Sequence, residues 1–302
     1  MASVDALPGG LGNWRAWCLA SRPRTLPVAA APVIVGTALA LVDDRSRAFP
    51  AAAALLGALF IQIGANLAND VFDFERGADT DQRVGPARAT QLGLLTPRQM
   101  KIGTGVAFAA AIAVGLYLVA VGGWPIALIG AFSIAAGLAY TGGPFAFGYR
   151  GLGEVAVFLF FGVVAVGGTY YVQALILPPF AIAASLPIGA FATSVLVVNN
   201  LRDIETDRIA GKRTLAVRFG RRAARLEYTG LLVFAYGMLP ALWLAGASAA
   251  TAVLPLFTLP VAAVLVRTVV TASDGATLNT ALARTAALEV GFALLFAAGL
   301  LL

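Results

Sequence analysis

Residues 52–81, AAALLGALFIQIGANLANDVFDFERGADTD, join a long apolar run to a cluster of acidic and amide side chains. The apolar part is long enough to cross a bilayer as a helix, which takes about 20 residues. Its polar end carries side chains at positions i, i+3, i+4 and i+7, namely Asn66, Asn69, Asp70 and Asp73. On a helix such positions share one face. The segment therefore predicts a membrane-spanning helix that ends in an acidic stripe, with Asp79 and Asp81 in the loop beyond it.

The composition extends this conclusion to the whole chain. Among the 302 residues 60% are hydrophobic and only 12% are charged, which is about half the charged fraction of a soluble domain. Apolar runs of transmembrane length recur along the chain. We therefore predict an all-α, polytopic membrane protein that forms a single domain over residues 1–302, with a flexible tail at 1–12. Nine spans are predicted, at residues 25–42, 52–70, 102–121, 124–140, 152–171, 179–200, 229–246, 251–270 and 285–302.

The basic residues are distributed unevenly between the predicted loops. If the N-terminus is cytoplasmic, only Arg45 and Arg47 of the 21 Lys and Arg residues lie on the opposite side. This asymmetry follows the positive-inside rule, so the net charge of +6 indicates topology and gives no reason to expect a nucleic-acid partner. The long loops at residues 71–101 and 201–228 are then cytoplasmic and are predicted to form a cap.

The side-chain inventory restricts the chemistry. The chain has no histidine and a single cysteine, Cys18, which excludes histidine acid–base relays, histidine metal sites and a disulfide within the chain. Any reaction must rest on carboxylates, amides, hydroxyls, Lys or Arg, or on a bound metal ion. The acids Glu154 and Glu289 stand alone in or near predicted spans, and helix pairing is the role predicted for both.

A second acidic motif follows the sixth predicted span. In NNLRDIETDRIAGKRTLAVRFG, residues 199–220, Asn199, Asp203 and Asp207 are spaced i, i+4 and i+8. The predicted topology puts both motifs on the same side of the membrane. Clustered carboxylates repel one another unless a cation lies between them, and carboxylate and amide oxygens are ligands that Mg²⁺ prefers. A solvated helix end with intrahelical ion pairs is the alternative for either motif alone.

The chain resembles the UbiA superfamily of intramembrane aromatic prenyltransferases. Both acidic motifs carry the resemblance, together with QRVGPARATQLGLLTPRQM at residues 82–100 and YTGGPFAFGYRGLGEV at 140–155. They are similar to the branch that prenylates 1,4-dihydroxy-2-naphthoate in menaquinone synthesis. RPRTLP at residues 22–27 resembles the opening motif of the family, and the likeness extends from about residue 13 to the end.

The resemblance implies a fold, a reaction and a set of site residues. The fold is nine transmembrane helices around a central cavity, in the cytoplasmic (inner) membrane. The reaction joins the prenyl group of a polyprenyl diphosphate to the naphthoate ring, with loss of carbon dioxide. Two Mg²⁺ ions are implied, held by Asn66, Asp70, Asp73, Asp79, Asp203 and Asp207. The five carboxylates are implied to be catalytic, as is the ring of Tyr140, which would face the allylic cation. For Tyr140 the alternative is a place in the aromatic belt at the membrane interface.

The resemblance also implies residues that bind the diphosphate or the aromatic carboxylate. These are Asn66, Arg22, Arg24, Arg83, Arg88, Asn199, Asn200, Arg202, Lys212 and Arg213. For the basic residues, contact with lipid headgroups is the alternative. Alternative functions are another aromatic acceptor, such as 4-hydroxybenzoate or a naphthoate that receives a phytyl group, and membrane transport. Transporters more often carry acids within interrupted spans, whereas these acids lie at span ends beside long basic loops.

Overall fold

The computed structural model describes residues 14–78 and 84–302. Within these ranges the chain is helical and contains no strand, so the predicted all-α class is confirmed. The helices are α1 (Trp14–Ser21), α2 (Leu26–Val42), α3 (Ala48–Glu75), α4 (Pro97–Gly122), α5 (Trp124–Ala139), α6 (Gly153–Ala174), α7 (Pro179–Arg202), α8 (Ile204–Ile209), α9 (Leu215–Leu244), α10 (Ala249–Thr271) and α11 (Gly275–Leu301). The predicted tail at residues 1–12 lies outside the described residues.

Several of these helices are long and apolar enough to cross a bilayer, which makes the chain a multi-pass membrane protein. Among the described residues six helices meet this criterion, namely α3, α4, α6, α7, α10 and α11. The pair α1 and α2, which is bent by 59°, gives a seventh if it is counted as one span. Helix α5 is apolar but has only 16 residues, and α9 begins with a strongly basic segment. The predicted count of nine spans is therefore not confirmed.

The boundaries of three helices near the acidic motifs, α3, α4 and α9, differ from the predicted ones. Helix α3 continues to Glu75, so the acidic stripe belongs to the helix and residues 71–75 are not part of a loop. Helix α4 begins at Pro97, where the Thr96 hydroxyl accepts the backbone N–H of Gln99 in a capping box. Helix α9 begins at Leu215, well before the predicted span at 229–246, and its backbone leaves helical geometry at Gly220.

Helix α7 lies at the centre of the bundle. Most of its apolar length is buried, whereas less than a third of the apolar length of α3 or α4 is buried. It packs against α9 and α11, and Phe191 on α7 contacts the rings of Tyr236 and Phe292 from these two helices. Against α6 the contact is between backbones, because a Cβ added at Gly162 would lie 2.8 Å from Cα of Gly189. Small residues allow this approach between membrane helices.

Candidate active site

Asp73 is a buried carboxylate at which distant segments of the chain meet. Its Oδ2 lies 2.7 Å from Nη2 of Arg88, in the loop between α3 and α4. The same oxygen lies 3.2 Å from Nζ of Lys212, in the loop between α8 and α9. Tyr149, in the turn before α6, donates its hydroxyl to Oδ1 at 2.7 Å. Because only 1% of Asp73 is exposed, these charge-assisted hydrogen bonds act in surroundings of low polarity, where they are strong.

The rest of the acidic stripe attaches α3 to its surroundings. Asp70 accepts the backbone N–H groups of Ala89 at 3.2 Å and Thr90 at 3.3 Å. The Asn66 amide donates to the backbone carbonyl of Ser21 at the end of α1, at 2.9 Å. One face of α3 therefore binds the end of α1 and the loop between α3 and α4.

The second acidic motif is held together by a neighbouring arginine. Arg202 donates to both carboxylate oxygens of Asp203, from Nε at 2.8 Å and from Nη2 at 2.5 Å. The same guanidinium donates to Asn199 on α7 and to Asn279 on α11, each at 2.8 Å. Gly85 lies against it, because a Cβ there would be 2.7 Å from Nη2 of Arg202. The loop between α3 and α4 therefore closes onto the second motif.

The two motifs meet at Lys212. Its Nζ lies 3.2 Å from Oδ2 of Asp73 and 3.5 Å from Oδ1 of Asp207. Burial raises the pKa of Asp207 to about 6, an effect that Lys212 opposes and that the charges of Asp203 and Asp73 reinforce. The meeting point thus carries closely spaced carboxylates that a cation stabilises, and a lysine supplies that cation within the chain.

Tyr140 directly follows α5 and lies against the start of α6. Burial raises the pKa of its phenol, and the negative charges of Glu154, Asp207 and Asp73 raise it further. Its hydroxyl approaches the start of α6 closely, since a Cβ added at Gly153 would lie 2.9 Å from that oxygen. The orientation of the Tyr140 ring toward a substrate stays a prediction.

Carboxylate and amide oxygens are suitable ligands for a hard cation, but the described residues do not form a complete coordination site. Within residues 14–78 and 84–302, no group of three or more His, Cys, Asp or Glu side chains is arranged to hold a metal ion. Asp73 and Asp207 both reach one positive centre, the ammonium of Lys212. Asp203 is instead bound to Arg202, as the ion-pair alternative for this motif expects. Asp79 is outside the described residues.

The remaining predicted site residues lie at several places. Arg22 and Arg24 are in the turn between α1 and α2, where Arg22 has a positive φ of 53°. The side chain of Arg213 is exposed, while its backbone N–H donates to a carbonyl in the turn before α6 at 2.8 Å. Arg83 is outside the described residues. Asn200, within the second motif, donates to Glu154 on α6 at 2.8 Å.

Glu154 and Glu289 differ in their surroundings. The bond from Asn200 to Glu154 joins α7 to α6, as the predicted helix pairing requires. Both carboxyl oxygens of Glu289 are buried, and neither has a hydrogen-bond partner in the described part of the chain. For Glu289 the structure thus gives no hydrogen bond through which the predicted pairing could act.

Sequence reasoning missed two residues that complete the polar network. Tyr149 lies inside the quoted motif at residues 140–155, in which only Tyr140 and Glu154 have predicted roles. The nearby glycines, Gly148 and Gly151, were the available signal. Asn279 has no such signal, because it is an ordinary residue in the second turn of α11. Its partner Arg202 is 77 residues away in the chain.

The fold and the site define a multi-pass α-helical membrane protein in which two acidic motifs meet at one end of the helix bundle. The chain belongs to the UbiA prenyltransferase family, whose sequence pattern matches residues 29–300.

Two curated relatives and one solved structure illustrate the similarity. The "1,4-dihydroxy-2-naphthoate octaprenyltransferase" of Mycobacterium tuberculosis is 45% identical over 226 residues, covering 74% of this chain and 77% of the relative. The protein of the same name from Escherichia coli is 41% identical over 229 residues and covers 74% of each chain. A UbiA homolog from Archaeoglobus fulgidus, solved with GPP and Mg²⁺, superposes with a TM-score of 0.67. That comparison covers 93% of this chain and 99% of the other at 16% identity, so it supports the fold alone.

Proposed function

We propose that this protein transfers a polyprenyl group from a polyprenyl diphosphate to 1,4-dihydroxy-2-naphthoate, releases carbon dioxide and forms demethylmenaquinol. The convergence of both acidic motifs on Lys212 carries the proposal, because a diphosphate leaving group needs concentrated positive charge beside oxygen ligands. The names of the relatives at 45% and 41% identity support the acceptor.

In this reaction two bonds break and one bond forms. The allylic C–O bond breaks, and its electron pair leaves with the diphosphate. The ring carbon that bears the carboxylate forms the new C–C bond to the allylic carbon. The bond from the ring to the carboxylate then breaks, carbon dioxide leaves, and the released electron pair restores the aromatic ring.

The residues of the chain supply binding and charge for these steps. Asn66, Asp70, Asp73, Asp79, Asp203 and Asp207 would hold Mg²⁺, two ions in our proposal, and the bound cation would neutralise the leaving diphosphate. Lys212 and Arg88 both form ion pairs with Asp73. From these positions their N–H groups would donate hydrogen bonds to diphosphate oxygens. The Tyr140 ring would face the allylic cation. Apolar helices around the site would exclude water and suppress hydrolysis of that cation.

The proposed location is the cytoplasmic (inner) membrane, with the N-terminus and the site on the cytoplasmic side. The distribution of Lys and Arg supports this orientation, since in the predicted nine-span topology only Arg45 and Arg47 would lie on the other side. A membrane-impermeant thiol label tests it on single-cysteine variants. Labelling at position 98 from the cytoplasmic side only, and at position 45 from the other side only, is expected. Labelling of both positions from one side would contradict the topology.

A transfer assay tests the function. The purified full chain, in detergent with Mg²⁺, is supplied with an allylic diphosphate and with either 1,4-dihydroxy-2-naphthoate or 4-hydroxybenzoate. We expect carbon dioxide and a prenylated naphthalenediol from the first acceptor, loss of activity in EDTA, and recovery with Mg²⁺ or Mn²⁺. Transfer to 4-hydroxybenzoate alone would contradict the acceptor. Undiminished transfer in a metal-free preparation would contradict the metal, and an intact allylic diphosphate would contradict the whole proposal.

A further inference from the structure

A second polar feature lies directly behind the acidic site. It is a cavity of about 440 Å³, lined by Arg76 after α3, by Tyr149 and Arg150 before α6, and by Arg213 and Arg218 around the start of α9. We call these five residues with their cavity the arginine pocket. Its volume falls within the range of small-molecule sites, roughly 300 to 1,000 Å³.

The charged residues that line the arginine pocket are all arginines. None of its described lining residues is acidic. None of its four arginines forms an ion pair with a carboxylate in the described ranges, unlike Arg88 and Arg202 in the acidic site. A planar guanidinium offers several N–H donors in a fixed fork that matches phosphate oxygens. The pocket therefore suits a compact polyanion of the phosphate class.

Three of the arginines are held in place by backbone carbonyls. Arg76 donates from Nη2 to Gly143 at 2.5 Å, and Arg150 from Nη2 to Pro144 at 3.2 Å. Arg218 donates from Nη2 to the carbonyl of Arg150 at 2.7 Å. Each bond uses one of five N–H donors and leaves the rest for a ligand. Fixing the side chains in advance lowers the entropy lost on binding.

Tyr149 forms the wall between the arginine pocket and the acidic site. Its hydroxyl donates to Asp73, while the guanidinium of Arg76 lies 4.8 Å from the centre of its ring. Nζ of Lys212 lies 4.9 Å from the same ring, and the next residue, Arg213, lines the pocket. A polyanion that leaves the acidic site would therefore meet a second group of cations on the other side of the Tyr149 ring.

We propose that the arginine pocket binds free inorganic diphosphate, the leaving group of the reaction, after it departs from the acidic site. The inference rests on the proposed function, which makes diphosphate the released product. It differs from the predicted binding role of Arg213, because it assigns an outer site that needs neither a metal ion nor the prenyl chain. Anionic lipid headgroups share the phosphate chemistry and are the competing source of a ligand.

Equilibrium binding of radiolabelled diphosphate tests the proposal. The full chain, in nanodiscs of neutral phosphatidylcholine with EDTA, is titrated without donor or acceptor. The double variant Arg150→Gln/Arg218→Gln should bind diphosphate at least about tenfold more weakly than the wild type, because charge-assisted hydrogen bonds are lost. The matched control Arg222→Gln, an exposed arginine elsewhere on α9, should bind as the wild type does. Melting temperatures verify that the variants fold.

A second variant and a lipid series complete the test. Arg213→Gln should also weaken binding, and its side chain makes no hydrogen bond within the described residues, so it tests the pocket if the double variant unfolds. Adding phosphatidylglycerol should leave diphosphate affinity nearly unchanged. The proposal is overturned if Arg202→Gln abolishes binding while the double variant binds normally, or if phosphatidylglycerol displaces diphosphate. Because no acceptor is present, failure of naphthoate transfer would be seen separately, in the transfer assay.

Discussion

Asp73 and Asp203 are both buried carboxylates bound to an arginine, but their partners come from different distances along the chain. The partners of Asp73 lie 15, 76 and 139 residues away. The arginine on Asp203 is the adjacent residue. The first motif is therefore a product of tertiary packing, whereas the second is preformed at the end of one helix. We expect the first to be the more sensitive to substitution.

The largest effect is expected for Asp73→Asn. The change leaves the positive charges of Arg88 and Lys212 without their shared anion, and an uncompensated buried charge costs about 3 kcal/mol of unfolding free energy. Prenyl transfer should fall by about 100-fold or more, as for the loss of other preorganised electrostatic groups. Denaturant unfolding and the transfer assay measure both. Glu205→Gln is the control, since Glu205 is exposed and forms an ion pair with the nearby Arg208. If Asp73→Asn had wild-type stability and wild-type transfer activity, a functional role for the first motif would be contradicted.

Asp203→Asn should reduce stability less than Asp73→Asn does. The change removes the anion beside the buried Arg202, but the guanidinium keeps Asn199 and Asn279 and can still donate to the amide oxygen at position 203. The expected loss is therefore about 1.5–2 kcal/mol, the lower part of the range for a hydrogen bond to a charged group. Transfer should still fall strongly, because the second motif loses an anionic oxygen ligand. Parallel denaturation of both variants checks the order. Equal losses of stability would show that the two motifs are built alike.

Lys212→Gln should uncouple the two motifs. Asp73 keeps Arg88 and Tyr149, while Asp207 loses its cation. We expect about a tenfold loss of transfer activity, equivalent to about 1.4 kcal/mol. A double-mutant cycle with Asp207→Asn should give a coupling free energy of at least about 0.5 kcal/mol. Lys101→Gln is the matched control, because that lysine pairs with Glu75 in an exposed position. Strict additivity in the cycle would disprove the link through Lys212.

The smallest effect is expected for Gly85→Ala. The added methyl group would lie 2.7 Å from Nη2 of Arg202, which three residues hold in place. The loop or the guanidinium must shift, at a cost of about 1 kcal/mol. The control is Gly105→Ala on α4, where nothing lies within 4 Å of the new atom and helix propensity favours alanine. Thermal melting compares the two variants. Equal melting temperatures for Gly85→Ala and Gly105→Ala would contradict a close contact between the loop and the second motif.

The sequence was sufficient for those features that local periodicity determines. The spacing of Asn66, Asp70 and Asp73 predicts a shared helix face, because the geometry of an α-helix relates residues three and four apart. Apolar length likewise predicts a membrane bundle. Within 14–78 and 84–302, however, the number of clear spans is lower than predicted, because α5 is short and α9 begins with charged residues.

The contacts of the site could not be predicted from local pattern. No periodicity relates Tyr149 to Asp73, or Asn279 to Arg202, since these pairs depend on how whole helices pack. The same applies to Lys212, which the resemblance assigned to the diphosphate or the aromatic carboxylate and which, in the structure, lies between two carboxylates. In each case the residue type was informative, but its partner was not.

The backbone contact between Gly162 on α6 and Gly189 on α7 leaves no room for a side chain between these two helices. At the same place α6 contains a π-helical turn, Phe158–Val164. The two helices therefore form a close-packed pair, and Asp203 directly follows α7. Asp73 on α3 depends instead on Arg88 and Lys212, which lie in loops. The two acidic motifs are thus supported in different ways, one by direct helix packing and the other by loop residues.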